Sequence, residues 1–212
     1  MKEYKNYFTD KSFLIAFVSA VALLMISLVV QYHASFYVDR SVSESVTDII
    51  LSNTRAWEVD GIFVYGALLL TFVAMVVGLR KPNYSPFIMK SVALFTIIRS
   101  CFVSLTHISP FPTRVVIDST FFTHPWFNGI FTGNDLFFSG HTGVPFLLAL
   151  IFWEHKILRY IFLGFSMVFA VVVLLGHLHY SIDVASAYFI TFTIFHMCKF
   201  LFKKDWELFL KK

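Results

Sequence analysis

Charge is scarce in this chain of 212 residues: only 14% are Asp, Glu, Lys or Arg, while 58% are hydrophobic and the mean hydropathy is +0.74. That balance excludes an ordinary soluble domain. Cysteine is nearly absent, and Cys101 and Cys198 both fall inside or at the edge of apolar runs, so no disulfide framework exists to indicate a compartment. The first apolar run lacks a convincing small-residue cleavage site and is long for a signal-peptide core, so it reads as a retained span. A Gly-x-Ser-x-Gly elbow is missing too, which weighs against Ser139 as a serine-hydrolase nucleophile. What the chain has in quantity is apolar length.

A transmembrane helix needs about 20 predominantly apolar residues. Such runs occur near 12–32, 61–79, 87–107, 136–153, 157–176 and 184–202. The expected fold is therefore all-α: a polytopic membrane protein with six transmembrane helices in one bundle, a single domain over 1–212. Threading six spans puts Lys2, Lys5, Lys11, Arg80, Lys81, Lys156, Arg159, Lys199, Lys203, Lys204, Lys211 and Lys212 on one side. Arg40, Arg55 and Arg114 fall on the other, and Lys90 and Arg99 lie within the third span. The positive-inside rule then makes both termini cytoplasmic, and the net charge of +4 reflects this bias with no nucleic-acid partner implied.

Two motifs carry titratable groups to the ends of apolar runs, where a bilayer makes them costly. The first is Asp135-Leu136-Phe137-Phe138-Ser139-Gly140-His141-Thr142, the second His177-Leu178-His179-Tyr180-Ser181-Ile182-Asp183-Val184. The threading brings both to the non-cytoplasmic side. Within one helix, residues four apart share a face, so Asp183 is expected to hold and charge-stabilise His179 as an activated nucleophile. His141, behind a Ser-Gly turn opening the next helix, supplies a proton, while the free N–H groups at that turn favour an anion such as phosphate. Ser139 reads as the N-cap. His141 is expected slightly below the membrane surface among Phe127, Phe131, Phe137 and Phe138, and the stretch from about 108 to 135, with Pro110, Pro112, Pro125 and Trp126, as an interfacial or re-entrant loop.

At these residues the chain resembles the type-2 phosphatidic acid phosphatase superfamily, and within it the sphingomyelin synthase branch. Ser-Gly-His-Thr paired with His-Tyr-Ser-x-Asp-Val carries the resemblance, joined by an acidic residue, Asp135, before the turn and by an element that Arg99, Thr106, Pro110 and Pro112 look like. It covers residues 99 to 190. The nearest counterpart to that branch's Pro-Leu-Pro-Asp motif, Val46-Thr47-Asp48, lacks the prolines. The resemblance implies a phosphohistidine enzyme with His141, His179 and Asp183 as catalytic residues and with substrate contacts from Ser139, Gly140, Thr142, Arg99, Asp135 and Tyr180. It implies no cofactor and no metal. Phosphatases of the superfamily carry an Arg six positions before the nucleophilic His, where this chain has Val173, and their Lys-x6-Arg-Pro element has no match. A site with one Arg and helix-end amides suits the single negative charge of a phosphodiester better than a monoester. The implied reaction moves a phosphoalcohol headgroup from a glycerophospholipid to a lipid alcohol, ceramide or diacylglycerol. A lipid phosphatase or a phospholipase C-like hydrolase would use the same site, and a lipid-binding or transport bundle would reuse the fold alone.

Other polar residues carry competing readings. Arg99, in the outer half of the third span, is a phosphate contact, a partner for Asp135 or Asp183, or a structural ion pair. Lys90 is expected to snorkel to the cytoplasm. His177 lies about 200° around an ideal helix from His179, so the two share no face unless Gly176 breaks the helix. A zinc site from His141, His177, His179 and Asp183 has suitable ligand types but no strong metal spacing. His33, His107, His124, His155 and His196 read as interfacial or satisfied polar residues.

Overall fold

The structure, a computed structural model, describes residues 7, 9–117 and 134–211. Long apolar stretches without interior breakers form helices: α1 (Lys11–Ser41), α2 (Asp60–Arg80), α3 (Ser85–Thr106), α4 (Gly140–Ile151), α5 (Lys156–Leu175), α6 (Ser181–Leu201) and α7 (Lys203–Leu210). Strands are absent among the described residues. Asp10 caps α1 through the Ser12 N–H at 2.9 Å, and Pro86 opens α3 in its first turn, where its missing N–H costs nothing.

Among the described residues five helices, α1, α2, α3, α5 and α6, are long and apolar enough to cross a membrane. They face outward with large apolar side chains: Ile15, Leu105, Phe189 and Phe200 are all at least 70% exposed. The protein is therefore an integral membrane protein. The expected fourth span, 136–153, is realised only as the 12-residue α4, about 18 Å long against a hydrocarbon core of roughly 30 Å. The reason is local. Ser139 caps the helix, and the residues before it use their backbone to hold Arg99 instead of continuing the helix.

α4 compensates by being wrapped in protein. Leu147 to Ile151 are buried, and its backbone runs so close to α3 and α6 that a Cβ on Gly143 would meet the Phe95 ring at 2.7 Å and Thr191 Oγ1 at 2.9 Å. Only glycine permits that approach. Non-helical backbone beside a helix so enclosed is covered by protein, as membrane depth requires.

At one end of the bundle α7 folds back on α3. Lys90 Nζ pairs with Asp205 Oδ2 at 2.7 Å, with both side chains largely buried, and Asn83 Nδ2 donates to the Lys211 carbonyl at 3.0 Å. Lys90 thus pairs inside the protein instead of snorkelling, because the charged segment after α6 is itself helical and supplies the acid. At the other end the Ser43 N–H donates to the His107 carbonyl at 2.8 Å, the Trp57 N–H to Leu175 at 2.9 Å and the Val115 N–H to Gly176 at 3.0 Å. The loops following α1 and α3 are thereby stitched onto the turn between α5 and α6, which carries the second motif.

Candidate active site

Gly176 caps α5, and His177 follows with a left-handed φ of 52°, which ends the helix and reverses the chain. Leu178 and His179 both donate backbone N–H groups to the Val173 carbonyl, at 2.8 and 3.4 Å. Tyr180 is the N-cap of α6, so His179 precedes the helix and does not share it with Asp183. The expected helical face-sharing pair is corrected accordingly. Asp183, at the third helical position, reaches back as an acid in a capping box does: its Oδ2 accepts the Tyr180 N–H at 2.9 Å and lies 3.4 Å from His179 Nδ1. The carboxylate is fully buried and His179 is 7% exposed.

The first motif meets this turn through one backbone bond, the Ser139 N–H donating to the Asp183 carbonyl at 3.1 Å. The N-termini of α4 and α6 are thus locked side by side. In the first turn of α4, His141 lies between Phe63 of α2, with ring centroids 4.1 Å apart, and Phe169 of α5, at 5.7 Å. His179, Arg99 and Asp135 lie close enough to act electrostatically on its ring. Pro145 has no N–H to give the His141 carbonyl.

Arg99 projects from α3 into the loop ahead of α4. Its Nη1 donates to Asp135 Oδ2 at 2.6 Å, its Nε to the Phe138 carbonyl at 2.7 Å and its Nη2 to the Asp135 carbonyl. A Cβ on Gly140 would lie 3.3 Å from Arg99 Nε, so the glycine lets α4 begin against the guanidinium. The partnership with Asp135 expected among the readings for Arg99 is thus present.

The remaining site residues divide. Ser139 is buried, and its Oγ accepts the Thr142 N–H at 3.4 Å as the N-cap. Thr142 is fully buried, its carbonyl accepting from Ser166 Oγ at 2.9 Å. Tyr180, expected as a substrate contact, is 2% exposed, and its hydroxyl donates to the Ser109 carbonyl at 2.8 Å and accepts the Val46 N–H at 3.3 Å. Its phenol fastens loops. Gly176 does break the helix, yet His177 turns away from His179: its Nδ1 lies 2.6 Å from Thr113 Oγ1 and its Nε2 3.2 Å from Thr54 Oγ1. Among the described residues no group of three or more His, Cys, Asp or Glu is gathered as metal ligands. Phe127, Phe131, Pro125, Trp126 and His124 lie outside the described residues.

Sequence reasoning gave no role at the site to two residues it named, Asp48, the nearest counterpart of a family motif, and Arg114. Asp48 Oδ1 accepts the Ile50 and Leu51 N–H groups at 2.8 and 3.0 Å, and its Oδ2 accepts the Ser181 N–H at 2.7 Å, capping α6 from 133 residues away. Burial pushes its carboxyl upward, but the N–H donors of Leu51, Ser181 and Ile50 prevail and hold it below the ordinary 3.8. Arg114 is half-buried near Asp135; burial lowers its guanidinium below the usual value and the Asp135 charge opposes that. An Asp two residues ahead of an apolar turn was a readable capping signal for Asp48. Nothing local marked Arg114.

Burial also holds His177 below its ordinary 6.5, with the Asp48 charge opposing. A depressed imidazole is neutral in the folded protein, so its contribution is complete above pH 6.5 and is lost as pH falls toward the folded value. Thermal unfolding in detergent is expected to show stability dropping below that point, by at most about 1.4 kcal/mol per pH unit for one proton. His177→Gln is expected to flatten the slope between pH 7 and 5, and an unchanged slope would remove His177 as its source.

With this geometry in view, a comparison with known families bears on the second half of the chain. Residues 132–200 match the family model described as PAP2 superfamily C-terminal. The match supports a relation to the type-2 phosphatidic acid phosphatase superfamily, and with it lipid chemistry of the phosphatase or phosphotransferase kind. It spans both motifs, from just before Asp135 to Lys199 and Phe200 in α6. No curated protein and no solved structure matches the chain.

Proposed function

We propose that this protein is a membrane lipid phosphotransferase that moves a phosphoalcohol headgroup from a glycerophospholipid to a lipid alcohol, ceramide or diacylglycerol, through a phosphohistidine on His179. The observation carrying the reading is the 3.1 Å bond from the Ser139 N–H to the Asp183 carbonyl, which ties the two motifs into one site. With Nδ1–H directed at Asp183, His179 presents the Nε2 lone pair to phosphorus. The N–P bond forms as the ester P–O bond to diacylglycerol breaks, and His141 gives its proton to the departing alkoxide. His141 then takes the proton of the incoming hydroxyl, whose oxygen attacks phosphorus while the N–P bond breaks. Ser139, Gly140 and Thr142 contribute as the first turn of α4, whose backbone N–H groups face a developing negative charge. Tyr180 acts indirectly, by fixing the loop beside His179.

Charge favours a phosphodiester donor. Arg99 is neutralised by Asp135, and the position six before His179, where a monoester clamp would need a cation, is the fully buried Val173. The cationic end of the bundle, with Arg80, Lys81, Lys156, Lys203 and Lys204, suits a cytoplasmic placement of both termini and a site on the opposite face.

The test is product identity. Purified protein given phospholipid labelled in its headgroup, with ceramide, is expected to yield labelled sphingolipid and free diacylglycerol, equally with and without a chelator. Inorganic phosphate released from phosphatidate, with no transfer, would replace this reading by a phosphatase; a water-soluble phosphoalcohol as sole product would replace it by a hydrolase.

A further inference from the structure

The turn that carries His179 is held by a segment far from it in sequence. The loop between α1 and α2, residues 42 to 59, reaches it at four places: the Trp57 N–H donates to the Leu175 carbonyl at 2.9 Å, Thr54 Oγ1 lies 3.2 Å from His177 Nε2, the Val46 N–H donates to the Tyr180 hydroxyl at 3.3 Å, and Asp48 Oδ2 accepts the Ser181 N–H at 2.7 Å. Of the four, Asp48 alone brings a carboxylate, and it is buried. Burying a carboxylate is costly unless donors converge on it, and here three backbone N–H groups do.

Those donors join the two motifs. Oδ2 holds Ser181, the first residue of α6 and two positions after His179, while Oδ1 accepts the Ile50 and Leu51 N–H groups at 2.8 and 3.0 Å and so shapes the short helical turn Leu51–Asn53. From that turn the buried Leu51 side chain packs in one cluster with Leu136 of the first motif and Tyr180 of the second. One carboxylate therefore sets the second motif against the first. It also shares the start of α6 with the carboxylate beside His179: Asp183 Oδ2 accepts the Tyr180 N–H at 2.9 Å and Asp48 Oδ2 the next one along, both at the positive end of the helix. Two successive donors are thus spent on fixing the turn.

We propose that Asp48 is a positioning residue for the phosphoryl-transfer site: through the Ser181 N–H it fixes the His179 turn against the start of α4, which makes the α1–α2 loop part of the active site. The proposal rests on the site being one for phosphoryl transfer from a lipid, as argued above, and assigns the group that holds its two histidines in register. Asp48 acts through the backbone, not by touching the lipid. Misplacing a reacting group by about 1 Å can cost roughly 10²-fold in rate, so a bond that sets this register is felt in turnover.

Asp48→Asn isolates the bond. The amide oxygen keeps the Ile50 and Leu51 N–H groups, two bonds against one, and the NH₂ then faces the Ser181 N–H, donor against donor. In detergent-purified full-length protein kcat is expected to fall roughly 10- to 100-fold, with KM within about twofold of the parent and the thermal midpoint nearly unchanged. Ser181→Pro removes the same bond from the other side, its ring displacing Oδ2. Proline is tolerated at the first helical position, and Tyr180, at φ −69° and ψ 156°, already has the extended backbone that a following proline requires. Combined with Asp48→Asn it should lose little more than either change alone, since both delete one interaction. Ser181→Ala keeps the N–H and should lose far less than Ser181→Pro; an equal loss would overturn the proposal. So would an unchanged kcat in Asp48→Asn, a loss confined to KM, or turnover falling only in step with thermal stability. Each ratio is taken on headgroup transfer from phosphatidylcholine to ceramide and, in parallel, on phosphate release from phosphatidate. A parent protein that releases phosphate and transfers nothing refutes the headgroup-transfer reading, and Asp48 is then judged by the same ratios on phosphatidate. A parent inert toward both lipids would overturn both.

Discussion

A His179→Ala protein is expected to insert and fold normally yet turn over about 10⁴-fold more slowly than the parent, and to form no covalent phosphoprotein when given labelled donor lipid. The magnitude follows from removing a nucleophile whose partners remain in place and retain only binding and charge stabilisation. Asp183→Asn separates chemistry from structure more finely. The amide oxygen still accepts the Tyr180 N–H that Asp183 takes at 2.9 Å, so the cap of α6 survives. The same oxygen position faces His179 Nδ1 at 3.4 Å, so the ring stays oriented, but the negative charge that stabilises a positively charged imidazole during phosphoryl transfer is lost. Near-normal thermal stability with turnover down about 10²- to 10⁴-fold is the expected pairing. His141→Ala is expected to lose a similar factor on phospholipid donors but to recover with a nitrophenyl phosphocholine donor, whose leaving group needs no proton. His179→Ala has no such rescue. Intact-mass detection of the phosphoprotein at alkaline pH, where phosphohistidine survives, reads each case, and a phosphorylated His179→Ala protein would remove this residue from the mechanism.

The spans were legible because hydropathy over 20 residues is a local property: α2, α3, α5 and α6 begin and end within about three residues of the apolar runs. α1 runs on to Ser41, past the apolar limit at 32, because polar residues are tolerated once the helix leaves the bilayer. The fourth run misled for a physical reason. Leu136, Phe137 and Phe138 are apolar enough to join a span, but the Phe138 and Asp135 carbonyls are engaged by an arginine 36 to 39 residues earlier in sequence, and that pairing is invisible to any window. The same limit hid the reach of Asp48 to the Ser181 N–H and the electrostatic effect of Asp135 on Arg114, which exist only after the outer loops close. α7 was missed because Lys203, Lys204, Asp205 and Glu207 make it too polar for a span, although Phe209 and Trp206 give it a face that packs on Phe87. The motif pair was readable as two polar helix starts that meet at one end of the bundle. Its geometry was read too simply, since four-residue spacing suggested a shared helical face where the chain instead places His179 ahead of the helix and lets a capping carboxylate reach back to it.

The stability of the site is expected to hinge on Arg99. Arg99→Met leaves the Asp135 carboxylate, 14% exposed, without its 2.6 Å partner and removes the donors to the Phe138 and Asp135 carbonyls. Breaking a buried pair by removing one member typically costs about 3–5 kcal/mol, because the remaining charge stays buried. Thermal unfolding in detergent should therefore fall far more for Arg99→Met than for Arg114→Ala. Arg99→Lys is expected to recover only a minor part, since one ammonium cannot reach a carboxylate and two carbonyls in the fixed directions of a guanidinium. Asp135→Asn should cost less than Arg99→Met: the amide oxygen still accepts from Arg99, and the residual charge is a cation with carbonyl partners. Combining Arg99→Met with Asp135→Asn should be less damaging than the sum of the two, because the second change removes the orphaned anion left by the first. Strict additivity would mean that the two side chains do not act as a pair. Asp135→Asn has a further consequence that a purely structural pair would not produce. With the carboxylate gone, Arg99 loses its anion, so the site's net charge rises by one and affinity should shift from the phosphodiester toward the doubly charged monoester.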